Sequence, residues 1–184
     1  MLIQDREFSG IPTKRVLDEV MKKPFFPIGF KDLNADMSFE SALNGSFSIG
    51  SIKIDTIPIS HSGGGLGYKF VEDDKTFVFL TDNELGYKHS EGKGFDAYLD
   101  FSRNADLLFH DGEYTKEEYK RKIGWGHSSI QDVLDLAVKA NVKKLGLFHL
   151  NQDRTDEQMD IIINECQANL KAKKLNLDCF AVSY

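Results

Sequence analysis

The chain has 184 residues, 41% hydrophobic and 28% charged, with a formal charge of −6, which fits one globular domain with a real core. The acidic balance and the absence of a basic run argue against a broad nucleic-acid-binding face, although a narrow cleft still accommodates a phosphodiester. No apolar run is long enough to span a bilayer. The N-terminal residues lack a signal-peptide layout, and Cys166 and Cys179 form no CxxC pair, so neither a disulfide framework nor a cysteine zinc site is expected and a reducing cytoplasm is the simplest setting.

In chain order, residues 1–9 give no clear element. Lys14 to Lys22 has helical spacing, with Val16, Leu17, Val20 and Met21 on one face. Pro24-Phe25-Phe26-Pro27 ends that helix, and its two phenylalanines are expected in a core. Strand patterns follow: Phe39, Ser41 and Leu43 alternate up to a turn at Asn44-Gly45, then come Phe47, Ile49 and the run from Ile52 to Ile59. Leu66 to Phe70 and Thr76 to Leu80 form a hairpin whose second arm is apolar enough to be buried on both faces. Gly86 to Gly94 is a candidate mobile loop, with His89 solvated. Beyond it helix and strand alternate: a helix from Phe95 to Asn104 and a strand ending in His110-Asp111. Capping boxes follow at Thr115 with Glu118, Ser128 with Gln131 and Thr155 with Gln158, with a strand ending in His149 before the last of them and a closing strand near Cys179 to Val182. This order indicates a layered α/β fold, with helices after Ser128 and Thr155 on one face of a mixed sheet running from Phe39 to Leu80 and extended by the strands near Leu107 and Leu145.

His61, Asp82, His110-Asp111 and His149 each stand just past a strand. In layered sheets such positions converge on one rim. His127 lies in Gly124-Trp125-Gly126-His127-Ser128-Ser129, immediately before a helix start. Imidazoles and a carboxylate at a shared rim are the ingredients of a zinc or manganese site. Singly, each has a structural alternative: a histidine in a glycine-rich turn, an aspartate capping a loop.

The ordered set His61, Gly67-Tyr68-Lys69-Phe70, Thr81-Asp82, Leu107-Leu108-Phe109-His110-Asp111, Gly126-His127-Ser128-Ser129 and Leu147-Phe148-His149 resembles the metallo-β-lactamase superfamily, particularly its ribonuclease Z-like and phosphodiesterase-like hydrolases. The resemblance implies that His61, Asp82 and His149 are metal ligands, with Asp82 bridging two divalent ions (zinc, or manganese or iron). It implies that His127 assists phosphodiester cleavage as the catalytic histidine, and that His110-Asp111 stands where the family has a His-Glu pair. The family's His-x-His-x-Asp-His signature is absent from the chain. The expectation is therefore the second half of an αββα sandwich, residues 37–184, preceded by a linking segment, 1–36. It is a truncated or natural half-domain whose activity alone is doubtful. Its substrate would be a small-molecule or nucleotide-type phosphodiester, and its partner a complementary N-terminal half or a second copy. The alternative is a non-catalytic half-domain serving as an assembly or binding module.

Overall fold

The computed structural model describes residues 2–4, 7–8, 11–40 and 45–182. The chain divides into two units, 1–46 and 47–184. In the first, β1 (Leu2–Gln4) pairs in parallel with β4 (Ser38–Glu40), and β2 (Glu7–Phe8) pairs with β3 (Ile11–Pro12). Helix α1 (Thr13–Val20) starts after Pro12, whose fixed φ suits a helix start. A 3-10 turn, Phe30–Asp32, buries Phe30, whose ring meets Phe39 edge-on at 5.9 Å. Two expectations fail here. Phe25 and Phe26 are 78% and 43% exposed rather than wedged into a core. Phe39 lies in the small β1–β4 sheet, so the main sheet does not begin there. The alternation through Ser41 and Leu43 and the Asn44-Gly45 turn fall on 41–44, outside the described residues.

The second unit is built on one seven-stranded sheet. Its strands are β5 (Ser46–Ile49), β6 (Ile52–Pro58), β7 (Leu66–Glu72), β8 (Lys75–Leu80), β9 (Leu107–Asp111), β10 (Lys144–Phe148) and β11 (Asp178–Ala181), in the order β11-β10-β9-β8-β7-β6-β5. The β6–β7 and β7–β8 pairs are antiparallel; β8, β9, β10 and β11 run parallel. Parallel neighbours need crossovers. These are α2 (Phe95–Ser102), the short α3 (Lys116–Tyr119) with α4 (Ile130–Lys139), and α5 (Asp156–Ala172).

The crossover helices cover one sheet face. Val78, Leu80, Leu108, Leu145 and Leu147 from the strands meet Tyr98 of α2, Val133, Leu136 and Ala137 of α4, and Met159, Cys166 and Leu170 of α5 in one cluster. Each fully buried aliphatic side chain contributes about 1.5–3 kcal/mol. The period of two sends Tyr68, Phe70, Phe77, Phe79, Phe109, Phe148 and Phe180 to the opposite face. There their rings contact one another across five strands, from Phe70–Phe77 at 5.7 Å to Phe109–Phe180 at 6.2 Å. Gly146 makes room for them, since a Cβ there would lie 2.6 Å from the Phe109 ring. These rings are only half-buried. The β8 strand is thus buried on its helix face alone, not on both.

Candidate metal centre

The parallel strands β8, β9 and β10 end at the same rim, and each delivers a polar side chain there. Asp82 follows β8 and His149 follows β10. Both adopt a left-handed backbone, φ +52 and +47, a conformation uncommon outside glycine and often stored at functional sites. His149 Nε2 lies 3.3 Å from Asp82 Oδ1, and His127 Nδ1 lies 3.7 Å from the same oxygen. The His127 and His149 rings stack at 4.6 Å. Donor atoms of Asp82, His127 and His149 all fall within 4.8 Å of one another. His61 completes the rim: its ring meets His127 edge-on at 5.5 Å, and its Nδ1 accepts the Gly63 N–H at 3.2 Å. Of the four residues singled out from sequence, Asp82, His127 and His149 come together here, while His61 touches His127 and stands outside their group.

Behind them lies a buried polar network. Asp111, at the end of β9, accepts from the Ser128 amide at 3.2 Å and from His127 Nδ1 at 3.0 Å, both on Oδ2. A carboxylate can only accept, so Nδ1 of His127 carries a proton and Nε2 is left for other work. Burial lowers the His127 pKa, but the Asp111 hydrogen bond and the charges of Asp111, Glu113 and Asp82 outweigh it and the net shift is upward. Burial likewise raises Asp111, and its bonds to His110 and His127 more than offset that, so it is held below the ordinary aspartate range. His110 is wholly buried. Its Nδ1 donates to Asp111, and its Nε2 lies 3.1 Å from the Asn83 amide. His110 holds Asp111 in place and has no open face.

Glu84, 1% exposed, is the other buried carboxylate. Its Oε1 accepts from Tyr119 and from the Gly124 amide, and its Oε2 from the Gly126 amide, each at 2.7 Å; His89 Nε2 lies 2.9 Å from Oε2. His89 is thus a partner of Glu84 and not solvated. Its loop is packed as well, for His89 N and Tyr87 O both bond the Ser60 hydroxyl, and a Cβ on Gly92 would strike Ser60. Glu113, which had no part in the sequence reading, puts Oε2 3.5 Å from His127 Nδ1 and 3.6 Å from His149 Nδ1. Its position two residues past Asp111 at the exit of β9 was the available signal. For Glu84 it was the run Thr81-Asp82-Asn83-Glu84 after an apolar strand.

The beta-lactamase superfamily domain matches residues 6–150, most of the chain. The chain belongs to the beta-lactamase superfamily. The ribonuclease Z of Sulfurisphaera tokodaii is 26% identical over 190 residues, covering 82% of this chain and 60% of that protein. That of Archaeoglobus fulgidus is 25% identical, covering 72% and 57%. That of Picrophilus torridus is 32% identical over a shorter stretch, covering 40% and 23%. The chain therefore spans between 23% and 60% of the length of these curated relatives. Among solved structures, the metallo-beta-lactamase fold protein YhfI of Bacillus subtilis aligns with a TM-score of 0.62 at 14% identity, over 92% of this chain and 59% of that one. A diphosphatase of the PhnP family aligns at 0.60 and 19%, over 97% and 55%. These likenesses establish the metallo-beta-lactamase fold.

The superfamily implies divalent metals, and the rim fits one. Asp82 Oδ1 is shielded from solvent and makes no hydrogen bond, although the Asp82 side chain is 41% exposed and two imidazole nitrogens lie 3.3 and 3.7 Å from that oxygen. Imidazole nitrogen with carboxylate oxygen is a donor set that zinc, manganese and iron accept. Among the described residues, no helix is long and apolar enough to cross a membrane.

Proposed function

We propose that this chain carries part of the active site of a metal-dependent hydrolase acting on a phosphodiester or a related ester. The carrying observation is the convergence of Asp82 Oδ1, which makes no hydrogen bond, with the imidazoles of His127 and His149, their donor atoms all within 4.8 Å of one another. The name that the curated relatives share, ribonuclease Z, supports a phosphodiester substrate. Asp82 would bridge two ions, with His61 and His149 each holding one. When bound, such ions lower the pKa of a water and neutralise charge on phosphoryl oxygens. His127, fixed by Asp111 through Nδ1 and carrying a raised pKa, presents Nε2 to the leaving oxygen as hydrogen-bond or proton donor. Asp111 acts as an orienting partner of the kind that commonly holds an active-site imidazole. A catalytic zinc normally has three protein ligands. Three ligand side chains are too few for two ions, so in this reading the remaining ligands would come from a complementary segment bearing His-x-His-x-Asp-His, in the same or another polypeptide.

The test pairs metal content by elemental analysis with hydrolysis of bis(p-nitrophenyl) phosphate, for this chain alone and with the complementary segment. Weak metal binding and little turnover are expected alone, and two ions with turnover in the completed protein. Asp82→Ala should abolish both. His127→Ala should lower turnover roughly 10²- to 10⁴-fold with metal retained. Full activity of the Asp82 variant sinks the reading. The close grouping of His127 with Asp82 and His149 favours a second arrangement, in which His127 is itself a ligand; loss of metal in His127→Ala selects it.

A further inference from the structure

We propose that Trp125 is a stacking platform for the base of a nucleotide-type substrate, set at the rim by the buried carboxylate of Glu84. The inference names the substrate class for the site above and rests on that reading for where the phosphate lies.

Trp125 is the only tryptophan of the chain, and it is 58% exposed, beside Ile123 at 55%. A lone exposed apolar side chain calls for no explanation; what marks Trp125 is how its backbone is held. The amides on either side of it, Gly124 N–H and Gly126 N–H, both end on Glu84, one on each carboxylate oxygen. The Trp125 amide itself donates to the Lys122 carbonyl at 3.0 Å. Gly124 and Gly126 have φ of +85 and +98, the region that favours glycine. A buried carboxylate is costly unless it is fully bonded. Here it is bonded to Tyr119, to His89 and to the two amides that bracket one exposed indole. The loop therefore carries the indole on a backbone that is already held, so little backbone freedom is lost when a second ring stacks on it.

Charge and place agree with a nucleotide. Lys122 Nζ lies over one face of the Trp125 ring, 3.6 Å from its centroid, so a base would stack on the opposite face. Lys120-Arg121-Lys122 put three cations together, too short a run for a broad nucleic-acid face, in a chain of net charge −6. Lys120 pairs with Glu117, while Arg121 has no ion pair among the described residues. The next residue, Gly126, lies against His61 so closely that a Cβ would fall 2.2 Å from the ring, and His127 follows it. Consecutive α-carbons are about 3.8 Å apart, so the platform is rooted one peptide from the residue touching His61 and two from His127. Base stacking on an aromatic side chain is tolerant of base identity because every base has a π face.

The single tryptophan makes the test direct. AMP and ribose 5-phosphate, which share the phosphate and sugar, are titrated against the full chain while its emission is followed. Saturable quenching by AMP and none by ribose 5-phosphate is expected. Binding of radiolabelled AMP by equilibrium dialysis should weaken roughly ten- to a hundredfold in Trp125→Ala and be largely kept in Trp125→Phe, with thermal melts confirming that both variants fold. Equal responses to the two ligands, no response to AMP, or undiminished AMP binding by Trp125→Ala overturns the proposal. None of these readouts needs bound metal or turnover. Stacking without hydrolysis in the completed protein would sink only the hydrolase reading, and hydrolysis of a nucleotide diester with an unchanged KM in Trp125→Ala would sink only the platform.

Discussion

Gly126 shows how much can depend on a missing side chain. It combines a left-handed φ, an amide bound to Glu84 and an α-carbon pressed against the His61 ring. Gly126→Ala meets both the backbone penalty and the collision. It should cost about 1–3 kcal/mol, the range for overpacking, and shift the emission of neighbouring Trp125. A thermal melt and an emission spectrum unchanged from the parent would show that the loop has room the geometry denies. Sequence made His61, Asp82, His127 and His149 visible because each stands directly after a strand or before a helix, where the chain's direction fixes its place. Glu84 and Glu113 were not legible in the same way. In a chain with 29 acidic residues, a place near a strand end is too weak a mark to single either of them out. The burial of Glu84 is decided by groups as distant in sequence as Gly124 and Gly126.

At the level of elements, periodicity found every helix and strand of the second unit from Ile52 onward, and the errors lie where tertiary partners compete. The helix expected to be capped by Ser128 is capped by Ser129, whose hydroxyl accepts from the Asp132 amide. Ser128 is engaged elsewhere, its hydroxyl donating to the Asn83 carbonyl and accepting from the Leu85 amide. Two adjacent serines look alike in sequence; a contact 45 residues away tells them apart. A second cross-element tie is Asp106, which precedes β9 and accepts from the Thr76 amide at 2.9 Å and from Lys143 at 2.6 Å. The Lys143 bond, then the Thr76 bond, hold its pKa below 3.8. A depressed carboxylate stabilises above its unfolded pKa, and that contribution disappears as pH falls through the folded one. Lys143 is 68% exposed and the pair is screened by solvent, so Asp106→Asn should lower stability only slightly near neutrality. The gap between parent and variant in denaturant midpoint should narrow below about pH 3.8. A gap that stays constant down to strong acid would show that the ion pair contributes nothing.

For the whole molecule, the sheet has two unlike faces. One is sealed by α2, α4 and α5; the other carries seven aromatic rings that are only half-buried. Contiguous apolar surface of this kind rarely stays open in soluble monomers. The chain is expected to self-associate at high concentration, unless a complementary half covers that face. Phe77→Ser with Phe109→Ser, two rings in edge contact at 5.2 Å, should shift sedimentation toward monomer. A parent chain that sediments as a monomer at high concentration would contradict this.

The alternation that separates these faces also governs which genetic changes the protein tolerates. On β9, Leu108 and His110 look toward the helices, while Phe109 and Asp111 belong to the aromatic side and the rim. Both neighbouring strands are held to β9 in fixed parallel register. Losing one codon within β9 would exchange the two sets together: a phenylalanine would enter the helix layer, and Asp111 would leave His127. A substitution at any one of these positions alters a single contact. A one-residue deletion there inverts the strand, so this short segment is closed to length variation in a way that the loops around it are not.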